Sequence, residues 1–505
     1  MKILTKEQML KSEEKSAELG VSLKQLMDNA GFALFEQIKN YAYQNMITDC
    51  LVIVGSGNNG GDGLVAANLL NSSGISPTIL LTGEVCSTLA KEAFNALDKN
   101  ILVLHMNGCN YIKTVSEAGI IVDCVFGTGF HGEFPEEILS LFSAVSSSSA
   151  YKIACDLPSG VDCSNGFAAK GTVRFHKTVS FHAAKLGCLI SPAREFCGEI
   201  TVCDIGIPSA ADSFFNISLF YDKAAKDALP FRPENSHKGT FGRVSLIVGS
   251  DRYTGAAALS AGAALRCGVG LTQVITTEKV AKAISPSIPE AVFLPLEASI
   301  DGTISAHNAH RILKECEKSS CALIGCGLGN TENTAELVCE IVKNAKGTLI
   351  IDADGINSIC RNIDILKNTK AKVILTPHPA ELSRLVGKSL EDTVRNRIDE
   401  TVRFCNEFGV TVISKSRESF VYDGESAYII TRGNSALSKG GSGDTLAGII
   451  ASLAAQGVKP ILASALGAYL LGICAEELST DLSKRGITAS DILRTLPGVL
   501  SKIED

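Results

Sequence analysis

The sequence has no block of basic residues, no CxxC pair, no low-complexity tract and no unbroken apolar run near the ~20 residues that span a bilayer. Each absence removes a class of function. Lys and Arg number 47 against 54 Asp and Glu, a formal charge of −7, and a mildly acidic chain without a basic block is not built to hold nucleic acid. Apolar runs broken by glycine, polar residues or charge predict no membrane span. The opening MKILTKEQMLKSEEK is charged and reads as a helix, not as a secretory leader. Cysteine is plentiful, at 17, but the residues stand singly, many within strand-like runs such as IVDCVFG and KIACDLP. They read as small buried thiols in a reducing, cytoplasmic setting. A structural metal, which needs clustered Cys and His, is not expected.

What is present is ordinary globular composition: 505 residues, 45% hydrophobic and 20% charged. At roughly 150 residues per domain this allows two or three domains. Thr5 to Gln8 forms a plausible capping box, and Ser22 opens a second amphipathic helix. Short apolar runs then alternate with helical stretches: CLVIVG, PTILLTG, ILVLH, GIIVDCVFG, YKIACDLP, TVSFHA and ITVCDIG. Such runs predict a largely parallel sheet with helices on both faces. The pattern stops near residue 216, across FYDKAAKDALPFRPENSHKGTFG, and a second α/β series begins at RVSLIVGS. The fold class is therefore α/β, in two domains spanning 1–216 and 225–505. FVYDGESAYIIT predicts a hairpin across Asp423-Gly424.

Each half carries a glycine loop. In the first, Gly55, Gly57 and Gly60 follow a strand and precede a helix, formally matching GxGxxG. Alone that spacing is weak, and no Lys-Ser/Thr follows to make a P-loop. Asn58, Asn59 and Asp62 add polar groups that a packed turn does not need. Asp123 and Asp156 close later strands and lead into Gly127 and Ser159-Gly160. Ligands of open α/β sheets bind beyond the carboxyl ends of strands, so these loops converge. Either aspartate taken singly is also read as a helix cap.

GNNGGDG, VDCVFGTGF and DLPSGVD together resemble the NAD(P)H-hydrate epimerase family over most of residues 1–216. The resemblance implies a Rossmann-like three-layer fold that interconverts R and S hydrates of NADH and NADPH at ring carbon six. It implies substrate contacts from Asn58, Asn59, Gly60, Gly61, Asp62, Gly127, Thr128, Gly129, Phe130, His131, Gly132, Glu133 and Asp156. A potassium ion on Asn59, Asp123 and Ser159 is implied as well; oxygen donors suit so hard a cation. Asp156 is the first choice of acid/base and Lys185 the second, the latter equally readable as a solvated surface lysine.

The second loop, Gly440-Gly441-Ser442-Gly443-Asp444, opens an apolar helix. Exposed N–H groups at a helix start stabilise a migrating phosphoryl group, and Asp444 is placed to take a proton from a hydroxyl. GGSGD resembles the ribokinase-like superfamily. His237 to Gly242, Tyr253 to Ala257, Gly325 to Gly329, Asp352 to Gly355 and Thr376 to Glu381 narrow it to a likeness with the ADP-dependent (S)-NAD(P)H-hydrate dehydratases. The whole chain thus resembles a bifunctional NAD(P)H-hydrate repair enzyme. Implied substrate contacts are Gly327, His378, Pro379, Ala380, Glu381, Leu382, Ser383, Arg384 and Asp444. ADP would meet Lys415, Ser416, Arg417, Glu418 and Ser419. It would also meet Asn434, Ser435, Ala436, Leu437, Ser438, Lys439, Gly440, Gly441, Ser442 and Gly443, with magnesium on its phosphates. The family is commonly oligomeric, so a homo-oligomer is expected.

The chain departs from the family at Lys415-Ser416-Arg417, where a glycine usually follows the lysine. It departs again at GNSALSKGG and at HPAE. Two rival readings stand beside the repair enzyme. One is a vitamin-type kinase, which would leave a stable phosphorylated product. The other makes the first domain a ligand sensor or protein-interaction unit.

Overall fold

A computed structural model describes residues 2–212 and 217–504. Contacts divide the chain into two compact units, Met1–Ile217 and Ser218–Asp505. This division falls one residue past the boundary anticipated near residue 216; residues 213–216 lie outside the described residues.

Seven parallel strands build the first unit's sheet, in the order Leu102–His105, Ser76–Leu81, Asp49–Val54, Ile120–Cys124, Tyr151–Cys155, Lys177–Phe181 and Glu199–Cys203. The chain runs outward from Asp49–Val54 to one edge, returns to Ile120–Cys124, and runs to the other. The crevice of a doubly wound sheet opens at such a reversal. The capping box at Thr5 is present: its hydroxyl accepts from Gln8 N at 3.3 Å while its own N–H donates to Gln8 Oε1 at 2.9 Å.

The second unit repeats this logic in a ten-stranded sheet. Its order is Ile217–Leu219, Ala427–Ile430, Ser419–Tyr422, Thr411–Ser414, Lys372–Leu375, Thr348–Ile351, Cys321–Ile324, Arg243–Ile247, Leu271–Thr277 and Val292–Leu296. The reversal lies between Arg243–Ile247 and Cys321–Ile324. The strands Ser419–Tyr422 and Ala427–Ile430 pair antiparallel, the hairpin foreseen across Asp423-Gly424. Twelve of the 17 cysteines are buried, as small core side chains.

The helix Ser442–Ala455 is apolar nearly all round because it lies in the core. Gly448 lets it approach Thr254–Arg266: a Cβ there would stand 2.2 Å from the Ser260 carbonyl oxygen and 2.8 Å from Ala263 Cβ. Pro460–Asp481 has the length and hydropathy of a membrane span, longer than the interrupted runs suggested, but 72% of its apolar window is buried inside the protein. It is the one such helix among the described residues and packs as a core helix.

These contacts set opposite expectations for two glycines. Gly448→Ala should lower stability by about 1–3 kcal/mol through overpacking. Gly498→Ala, inside Ala489–Glu504 with nothing within 4 Å, should raise it by about 0.5–1 kcal/mol. Denaturant melts of the two variants check both signs.

Candidate active sites

In the first unit a cavity of about 590 Å³ opens at the sheet reversal. Asn58, Asn59, Asp62, Gly127, Thr128, Gly129, Phe130, His131, Glu133 and Asp156 all line it. Gly60 and Gly61 do not. They are buried in the first turns of the helix Asn58–Ser72, where added Cβ atoms would stand 2.4 Å from the Gly55 carbonyl and 2.6 Å from Met27 Cε. Their job is close packing, which brings the helix start to the sheet. Gly132 turns at φ 83° off the lining.

Asp156 ends its strand at φ 65°, a left-handed conformation that costs a non-glycine residue about 1–3 kcal/mol. The bend aims its carboxylate inward: Oδ1 accepts from Phe181 N at 3.1 Å and from the Lys185 ammonium. Lys185 is fully buried, which overturns the surface reading of this lysine; its Nζ also donates to the Phe181 carbonyl at 2.7 Å. Glu13, on the helix Lys6–Glu18, faces the same cavity and went unnoticed in the sequence. Burial, then the charge of Asp156, pushes its carboxyl to about 7. Asp62 is driven well above the carboxylate range by burial and by Asp156 and Glu13. No motif marks Glu13; only the helix's return to the strand ends brings it there.

Asp123 and Ser159 interlock. The carboxylate accepts from Ser159 Oγ at 2.7 Å, Ser159 N at 2.8 Å and Val125 N at 3.1 Å. Burial raises Asp123 to about 6 although these bonds oppose the rise. Asn59 Nδ2 is buried without a hydrogen-bond partner. That amide is a donor and would meet an acceptor of a ligand, not a cation. The oxygens of the kind that suit a hard cation are the Asp123 carboxylate, the Ser159 hydroxyl and the Phe126 carbonyl, 3.3 Å from Ser159 Oγ.

In the second unit four strand ends deliver Cys326, Asp352, Thr376 and Lys415 to one place. Asp352 is 1% exposed. Its Oδ1 accepts from Lys415 Nζ at 2.9 Å and from the Thr376 hydroxyl; its Oδ2 accepts from Cys326 Sγ at 3.5 Å. Burial pulls Lys415 down, but Asp352 and Glu381 carry it above its usual value. Asp444 meets this group from the start of Ser442–Ala455, which Gly441 caps at φ 93°. Burial, then the charge of Asp352, raises Asp444 to about 6. Ligand atoms of Cys326, Asp352 and Asp444 lie within 4.8 Å of one another. A thiol and a lysine-neutralised carboxylate are a poor cage for magnesium, which wants several oxygens and water.

Beside this group lies a cavity of about 620 Å³. Lys415, Ser416, Arg417, Ser419, Asn434, Ser435, Leu437, Ser438, Lys439, Ser442 and Gly443 line it, with His378 and Pro379. Glu418 and Ala436 are buried behind the wall, at 2% and 3% exposure. The lining includes Gly443 but not Asp444, nor Gly440 and Gly441. Gly433 lines it too. Arg432, Lys484 and the apolar Leu446, Ala468 and Leu471 complete it, residues that no motif singled out.

His378 caps the helix Pro379–Val386: Nδ1 accepts from Ala380 N at 3.1 Å, and His378 N donates to Glu381 Oε2 at 2.8 Å. The turn reading and the cavity reading of His378 both hold. Leu382, expected to meet substrate, is fully buried. Ser383 donates to the Ala380 carbonyl at 2.9 Å, and Arg384 donates to Asn357 Oδ1 at 2.9 Å. Gly327, at φ 63°, sits where a Cβ would strike Tyr253 and Ala256.

A family profile described as NAD(P)H-hydrate dehydratase matches residues 244–498. A second, described as YjeF-related protein N-terminus, matches residues 23–187. A solved ribokinase-like superfamily protein from Enterococcus faecalis V583 is 27% identical and covers 57% of this chain and 97% of its own length, with a TM-score of 0.51. The second unit is thus ribokinase-like, and the chain is an α/β enzyme with one site in each half. The bifunctional NAD(P)H-hydrate repair enzyme Nnr of Moorella thermoacetica is 31% identical over 95% of this chain and 93% of its own length. The protein of that name from Escherichia coli K12 is 31% identical over 96% and 90%. The chain belongs to the family of bifunctional NAD(P)H-hydrate repair enzymes.

The raised Asp444 carboxyl has a consequence for stability. Between its usual value of 3.8 and about 6 the folded chain holds a proton that the unfolded chain has lost, so stability falls as pH rises through this window. Asp444→Asn should therefore stabilise the second unit above pH 6 by up to about 2–3 kcal/mol, with the gain vanishing toward pH 4. Thermal melts of the two proteins across that range measure the difference.

Proposed function

We propose that residues 1–216 epimerise R and S hydrates of NADH and NADPH, and that residues 225–505 dehydrate the S form at the expense of ADP. The observation that carries this reading is the placing of Asp444. It stands at a helix start, with a nucleotide-sized cavity ending at Gly443 on one side and the Lys415–Asp352 pair on the other.

In the second unit ADP occupies the cavity, bounded by Lys415 to Ser419 and Asn434 to Gly443. The hydrate lies toward Gly327, His378 to Arg384 and Asp444. Asp444 takes the proton of the C6 hydroxyl as that oxygen attacks the terminal phosphorus of ADP. The bond to the bridging oxygen breaks and AMP leaves. The N–H groups of the first turn of Ser442–Ala455 and the Lys415 ammonium hold the charge on the moving phosphoryl group. The ring nitrogen then expels phosphate from C6, and loss of a C5 proton restores the dihydropyridine. Magnesium would arrive on the nucleotide's phosphates, which supply the oxygens the protein cluster lacks.

In the first unit the hydroxyl of the same carbon departs and returns on the opposite face. Asp156, oriented by Lys185 and Phe181 N, moves the proton, and Asn58, Asn59 and the Gly127 to Glu133 loop hold the ring. Asn59, Asp123 and Ser159 would hold potassium, whose charge would order the two loops.

The kinase alternative is separated by products: this reading requires free phosphate and recovered dihydronicotinamide absorbance. Asp444→Asn should abolish that recovery, by at least about 10³-fold, while R/S exchange persists. The wild-type rate should decline as pH drops through about 6. In turn, Asp156→Asn should slow R/S exchange by about 10²–10⁴-fold and leave dehydration of the S hydrate intact, as resolved by chromatography of the two epimers.

A further inference from the structure

Lys439 stands just ahead of the paired glycines of the second unit's loop, at a point where the chain departs from its family's usual residues. Its ammonium is engaged with backbone. Nζ donates to the carbonyl oxygens of Arg485 and Ile487, at 2.5 Å each. Those carbonyls belong to the segment leading into Ala489–Glu504. The loop meets that segment a second time at Gly441, where a Cβ would stand 3.0 Å from Ala489 Cβ. The backbone of Lys439 is held as well: its N–H donates to the Leu437 carbonyl at 2.9 Å, and its carbonyl accepts from Ser442 N at 3.4 Å. One residue thus joins the wall at 485–489 to the first turn of Ser442–Ala455.

A cation seated on converging carbonyl oxygens is the chemistry by which proteins hold monovalent ions. Here the cation is covalently attached to the loop it orders. We propose that Lys439 is a positioning residue acting as a built-in monovalent cation, fixing the phosphoryl-binding turn against the 485–487 carbonyls. This rests on the dehydratase reading of the site. It deepens that reading by making dehydration independent of any dissolved monovalent ion at this loop. The rival role is direct contact with the nucleotide, since Lys439 also lines the cavity.

The test uses the full-length chain, saturating S hydrate and ADP. Lys439→Ala should lose about 10–100-fold in kcat, the scale of a small misplacement of a catalytic turn, with KM for ADP within about threefold of wild type. Ammonium at tens of millimolar should restore much of the loss, and tetramethylammonium, which donates no hydrogen bond, should restore none. The wild-type rate should ignore both. Hydrogen exchange at the amides of residues 440–444 should accelerate in Lys439→Ala and slow again with ammonium. That readout needs no turnover, so it separates failure of this inference from failure of the dehydratase reading. Lys439→Arg, which keeps a donor cation, should hold kcat within about fivefold without ammonium, and it replaces the alanine variant should that chain melt below the assay temperature. An unchanged kcat in Lys439→Ala, a raised KM without ammonium rescue, or unchanged exchange would each overturn the proposal.

Discussion

The ion pair between half-buried Lys415 and buried Asp352 is the contact around which the second unit's strand-end cluster is built. Two ions withdrawn from water are tolerated only with good geometry and further hydrogen bonds, and Thr376 and Cys326 supply those. Burial is the main cause of the raised Asp444 carboxyl; the charge of Asp352 adds to it, and Lys415 offsets only part. A lone carboxylate at a helix start would be more acidic and a weaker base. Burial and the Asp352 charge together lift the carboxyl at this capping position to about 6, closer to neutral pH than an exposed cap would stand.

The first unit reaches the same arrangement from different sequence. A strand-end carboxylate, Asp156, is held by a fully buried lysine, and a helix-borne carboxylate, Asp62, is pushed toward its neutral form. In each half the lysine lies on or just past a later strand than the aspartate it binds, so the pair joins separate parts of the chain.

Much of this was legible in the residues. Strand runs, the hairpin at Asp423-Gly424 and the two glycine loops followed from local chemistry, and the strand-end rule located Asp123 and Asp156. Applied to TLIID it would also have found Asp352, which was read only as part of a motif. Other features needed three dimensions. Lys185 reads equally as a site residue or a surface one because nothing in FHAAKLG reveals that its side chain turns inward. Glu13 is one of several acids on a charged helix, and Gly60, Gly61 and Leu382 sat inside motifs while serving packing. Periodicity tells which face is apolar; it does not tell which polar residue on a boundary faces a cavity. The length of Pro460–Asp481 as one buried helix was likewise hidden by its internal glycines and serines.

The backbone at Asp156 carries an evolutionary implication. A left-handed φ of 65° suits glycine better than any residue with a Cβ. Glycine would relieve about 1–3 kcal/mol of strain but leave the fully buried Lys185 ammonium unpaired, a loss of about 3–5 kcal/mol. The buried lysine thus anchors an acid at a codon whose backbone alone would suit glycine, so a lineage that lost either partner would be pressed to lose both.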